Sequence, residues 1–134
     1  MTISHDLIDT STGLSISRYK QQIAGLGADG GIVVLSTIRI KNNGTETPTG
    51  CELTALTARL SADGTPKDGK ELVVGKWLEA KPSGGAWTPI GDGDSATIAP
   101  LAAYATTDVE MRLNIPAGAS VLGTIEPMLA IVAW

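Results

Sequence analysis

The sequence has no phenylalanine, a single histidine (His5) and a single cysteine (Cys51). Each shortage removes a class of function. Without Phe, the core has to come mainly from Ile, Leu, Val and Ala. One cysteine cannot close an internal disulfide, so a disulfide framework is excluded. Metal sites built from Cys and His are excluded by number. Ser4-His5-Asp6 holds the residue types of a catalytic triad. A working triad, however, draws three side chains from separate elements with the base between the other two. Cys51 has no evident activating neighbour and is expected to pack as a small apolar residue. With no catalytic constellation legible, the chain is expected to be non-enzymatic and to need no cofactor and no metal.

Charge is scarce as well: 14 acidic against 10 basic residues, net −4. No basic cluster marks a nucleic-acid footprint, and the acidic balance disfavours anionic lipid. No stretch approaches the ~20 apolar residues of a membrane-spanning helix. The start, MTISHDLIDTST, lacks a basic segment followed by an apolar run, so no signal peptide is expected. Asn43-Gly44-Thr45 fits the glycosylation pattern, but Asn-Gly turn chemistry accounts for it without a sugar.

What the sequence does have is turn chemistry between short apolar alternations. Its 134 residues, with 16 glycines and seven prolines, suit a single all-β domain. Residues 1–13 are polar and aperiodic, and are expected to form an arm with His5 exposed. Leu14 to Tyr19 alternates and is a candidate first strand. Ile32 to Lys41 is the strongest strand signal, rich in β-branched residues, with Ile32, Val34, Ser36, Ile38 and Ile40 expected inward. Cys51 to Leu60 follows, and its apolar parity changes between Leu53 and Leu56, which predicts a bulge. Lys70 to Ala80 is a fourth strand, with Gly75 an irregularity. In Ala86 to Ile90, Pro89 predicts an edge. Thr107 to Ile115 alternates cleanly, with Val109, Met111, Leu113 and Ile115 on one face. Seven or eight strands and no helix predict a single antiparallel β-sandwich, Ig-like or jelly-roll.

Three patterns invite a functional reading. Gly25-Leu26-Gly27-Ala28-Asp29-Gly30 matches GxGxxG, but a β-branched run follows where the dinucleotide fingerprint needs a helix. A flexible turn explains it better. Asp92-Gly93-Asp94 supplies few of the 6–8 oxygens that calcium takes, and here too a turn is the simpler reading. Trp87, after Gly84-Gly85, is the best candidate for an exposed aromatic. With Asp92 and Asp94 it forms a candidate ligand site for a sugar. Trp77 is expected in the core.

The end of the chain has more apolar surface than one core can use. DVEMRLNIPAGASVLGTIEPMLAIVAW reads as strand, loop, strand. In the last strand, Leu129, Ile131 and Ala133 fill one face, while Met128, Ala130, Val132 and Trp134 fill the other. A sandwich strand normally keeps one polar face, and large exposed apolar patches usually mark interfaces. Met128, Val132 and Trp134 are the expected anchors of contact with a second copy. The alternative is that a loop or the N-terminal arm covers them. Ile32 to Leu35, apolar on both faces, is a candidate to adjoin the same patch.

Arg39 to Gly50, RIKNNGTETPTG, resembles the strand, Asn-Gly and polar loop of Ig-like accessory modules. Met111 to Ala133 is similar to their penultimate and last strands. Trp77-Leu78 and Gly84 to Ala102 resemble small structural proteins of tailed bacteriophages and prophages, such as capsid decoration, tail or baseplate components. The resemblance carries over no functional residue. It implies a virion structural protein, cytoplasmic before assembly, that forms a homo-oligomer such as a trimer and contacts a capsid or tail protein. The competing reading is a carbohydrate- or cell-surface-binding β-sandwich module using Trp87. The two are separated by native mass and by the response of Trp87 to glycans.

Overall fold

A computed structural model describes residues 4–16, 19, 21–23, 31–60, 77–91, 93–115 and 123–134. Several expectations lie outside these residues: the GxGxxG segment at 25–30, residues 17 and 18 of the candidate first strand, the 70–76 part of the fourth strand, Asp92, and the loop before the last strand.

Among the described residues the protein is all-β and antiparallel, with no helix. The strands are β1 (His5–Asp9), β2 (Leu14–Ser15), β3 (Gln21–Ile23), β4 (Gly31–Val34), β5 (Ile38–Asn42), β6 (Cys51–Leu60), β7 (Leu78–Pro82), β8 (Thr88–Pro89), β9 (Ala96–Thr97), β10 (Thr106–Ile115) and β11 (Gly123–Ala133). One sheet runs β2-β1-β5-β10-β7-β8, with β4 also on β10; the other runs β3-β11-β6-β9. The two sheets face each other as a sandwich.

The core is built from alternate residues of both sheets. Leu7, Ile38, Ile40, Leu78, Ala80, Val109, Met111 and Leu113 come from the first sheet; Cys51, Leu53, Ala55, Ala96 and Leu129 come from the second. Trp77, Ile131 and Ala133 pack against this cluster. Aliphatic residues therefore supply nearly all the buried side chains, as the absence of Phe requires. Tyr19 is the one fully buried aromatic among the described residues, and its hydroxyl donates to the Ser36 carbonyl. Burial raises its pKa.

Two corrections concern the N-terminal half. Residues 5–9 are not an arm: β1 pairs with β5 from His5↔Asn42 to Asp9↔Ile38. Its inward positions are His5, Leu7 and Asp9. The buried Asp9 carboxylate is satisfied locally, accepting from the Ser11 amide at 2.9 Å and the Ser11 hydroxyl at 2.7 Å. That is why a polar segment tolerates a place in the sheet. The second correction concerns 32–41, which is two strands. Pairing with β10 slips by one residue between Arg112↔Val34 and Val109↔Ile38. A one-residue slip exchanges the faces, so Leu35 turns inward while Ile32 and Val34 are 48% and 82% exposed.

Other expectations match. β6 carries its bulge where the parity changes: Thr57 pairs with Met128 and Ala55 with Leu129, leaving Leu56 extra. β8, with Pro89, is a sheet edge. Thr107 to Ile115 lies within β10, with Val109, Met111 and Leu113 buried and Glu110 and Asn114 exposed.

Candidate functional site

The C-terminal strand is the feature that most needs explaining. β11 pairs with β6 from Ile125↔Leu60 to Ala133↔Cys51. Beyond the strand, Trp134 and Gly50 exchange two main-chain bonds, each 3.1 Å. The Trp134 ring lies over Gly50 so closely that any side chain at residue 50 would collide with it. Leu129, Ile131 and Ala133 face the core. Met128 and Ala130 are half-buried on the opposite face, while Val132 and Trp134 are 50% and 55% exposed. From Met128 to Trp134 the outer row thus holds four apolar residues and no charge. On β6 next to it the outward positions are Glu52, opposite Val132, and Thr54, opposite Ala130.

Ile32 and Val34 do not adjoin this row. They lie on the outer face of the other sheet, beside Asn114 and Arg112 of β10.

A groove of about 460 Å³ opens along the side of the sandwich between β1 and β11. His5, Asp6 and Leu7 form one wall; Leu129, Ala130 and Ile131 form the other, with Ser15 and Ile16 at one end. The His5 Nε2 atom is buried there without a hydrogen-bond partner, and burial lowers the imidazole pKa. The Asp6 carboxylate accepts a 2.5 Å bond from the Asn43 side chain. His5 is therefore half-buried on the inner face, not exposed as the sequence suggested.

The candidate ligand residues are not gathered into one site. Trp87 lies against the outer face of the first sheet, where the Arg112 guanidinium stacks 4.1 Å from its ring centroid. Arg112 also pairs with Glu79 at 2.7 Å, with side chains only 22% and 11% exposed. Asp94 belongs to the other side: its carbonyl accepts from the Thr54 hydroxyl of β6, and its main chain bridges Gly91 in both directions at 2.9 Å. This is the expected turn. Among the described residues no group of His, Cys, Asp or Glu is placed to hold a metal ion. Cys51 is buried, and desolvation pushes its thiol pKa up, the opposite of an activated nucleophile.

One exposed aromatic gave no signal in the sequence. Tyr104 is 64% exposed and has φ of 65°, a conformation rare outside glycine. Its amide donates to the Asn42 carbonyl at 2.7 Å. Asn42 is fully buried, and its side chain ties three loop points together. Nδ2 donates to the carbonyls of Glu46 and Leu101, and Oδ1 accepts from the Gly44 amide, each at 2.8 Å. This clamp fixes the end of the sandwich from which β6 departs. No periodic pattern encodes it, because its partners are up to 59 residues apart.

No protein-family model, curated protein or solved structure matches this chain.

Proposed function

We propose that this protein is a non-enzymatic structural module that self-associates through β11. The observation that carries the reading is the outer row of that strand: Val132 and Trp134 half-exposed, with Met128 and Ala130 beside them and no charge among the four. A strand of this kind left open in solution is an aggregation hazard, and burial against another copy removes the hazard. Aromatic residues and Met are also enriched at interface cores. The segments that resemble small phage and prophage structural proteins support a more specific role. In it, the module would be a capsid decoration or tail component whose second partner is a protein of the particle.

A sugar-binding role through Trp87 has less support. One face of that ring is covered by Arg112, and Asp94 lies against the other sheet. The test is Val132→Asp, which places a charge in the row without touching the buried core. The variant is expected to shift the native mass from oligomer to monomer while its thermal midpoint at equal concentration changes only through lost association. An unchanged mass would remove this interface.

A further inference from the structure

The direction of the main-chain groups on β11 says how two copies meet. In an antiparallel ladder, pairs that exchange both hydrogen bonds alternate with pairs that exchange none. Trp134 and Gly50 exchange both. Counting back along the register, Val132↔Glu52 and Ala130↔Thr54 are therefore the bonded pairs, and Ala133↔Cys51, Ile131↔Leu53 and Leu129↔Ala55 are not. The Cys51 carbonyl agrees, since it turns away from β11 to accept from the Ile98 amide at 2.9 Å. The N–H and C=O groups of Leu129, Ile131 and Ala133 consequently point to the other edge of β11. Among the described residues β3 pairs with that edge only from Gly123 to Ile125. From Met128 onward the strand has no charge and no proline, the usual guards of an open edge.

We infer that a second copy of this chain adds its own β11 to this edge, antiparallel, across a two-fold axis at Ile131. This rests on the self-association reading above and specifies its partner strand and register. Centring on Ile131 is the register in which every outward main-chain group from Leu129 to Ala133 finds a partner: Ile131 with Ile131, and Leu129 with Ala133. The same register matches the outer row to itself. Val132 falls opposite Ala130 of the second copy, and Trp134 falls opposite its Met128. Large residues thus meet small ones, and the indole meets a thioether, a favourable sulfur–aromatic contact. No like charges are brought together, although the chain as a whole has a net charge of −4. The interface is isologous, the commonest arrangement in soluble oligomers, and it merges two four-stranded sheets into one.

Two variants test it by light scattering and by gel under mild oxidation. Ala133→Pro removes an edge-facing donor but leaves the bonds of Val132 and Trp134 to β6. It is expected to weaken dimerisation by about tenfold or more. The double variant Ala130→Cys/Val132→Cys places thiols on directly opposed, non-bonded positions, where strands lie about 4.5 Å apart and a disulfide fits. It is expected to cross-link as a dimer, whereas Val132→Cys alone is expected not to. Should Ala133→Pro disturb folding, the cross-link decides. If Val132→Asp yields monomer while Ala133→Pro assembles normally and the double variant fails to cross-link, the outer face is the interface and the edge pairing is wrong. A trimer also overturns the two-fold arrangement, and a monomeric wild type overturns both readings together.

Discussion

Replacing Asn42 with alanine is expected to destabilise the protein by about 3 kcal/mol. The side chain makes three bonds of 2.8 Å, to the Glu46 and Leu101 carbonyls and from the Gly44 amide. A net hydrogen bond contributes roughly 1 kcal/mol, but a buried partner left unsatisfied costs about 1–3 kcal/mol. Leu101 and Gly44 are buried residues, whereas Glu46 is half-buried. Two partners near the lower end of that range, plus a smaller loss at Glu46, give about 3 kcal/mol. For a chain of this size that corresponds to a fall of roughly 10 °C in thermal midpoint. The assay is urea unfolding followed by tryptophan fluorescence at fixed protein concentration, because association raises apparent stability. Asn43→Ala is the comparison: among the described residues its side chain makes one bond, to the half-buried Asp6, and its loss should cost clearly less. A loss below about 1 kcal/mol for Asn42→Ala, or one equal to Asn43→Ala, would refute the clamp.

Two further perturbations follow from the buried polar groups. Arg112→Ala strands the Glu79 carboxylate, which is only 11% exposed, and should cost about 2–3 kcal/mol. It also strips the cation from Trp87, so the emission of that residue should change. A stability loss with no spectral change would mean the stacking does not persist in solution. His5 sets a pH dependence. Burial lowers its pKa from 6.5, so on acidification the unfolded chain takes up the proton first. The contribution of His5 is full above about pH 6.5 and falls as pH drops towards the folded-state value. His5→Gln should flatten that part of the stability profile, and a profile identical to wild type would show that another group titrates there.

Much of the fold is legible in the sequence wherever one face of a strand is buried and the other is polar. β10 is the clear case: Glu110, Arg112 and Asn114 mark the outside, so Val109, Met111 and Leu113 mark the inside. The bulge in β6 is visible because the apolar residues Leu53 and Leu56 cannot share one face of a regular strand. The failures have equally local causes. Residues 32–35 are apolar at every position, so periodicity fixes no parity there, and the one-residue slip before Ile38 decides the faces. β1 is hidden because two of its three inward residues, His5 and Asp9, are polar. Its strand state comes from the partner β5, and Asp9 is satisfied by a turn that brings Ser11 back to it. The apolar outer row was readable because seven consecutive residues, 128–134, carry no charge, and the structure leaves Val132 and Trp134 half-exposed. The Arg112–Trp87–Glu79 stack and the Asn42 clamp were not, since both join residues distant in sequence through geometry that no spacing records.

The proposed role requires that β11 join copies of the chain. The most direct measurement is the native mass of the unaltered protein by multi-angle light scattering behind size exclusion, over a wide concentration range. A discrete dimer that dissociates on dilution is expected. A monomer at every concentration would contradict that role.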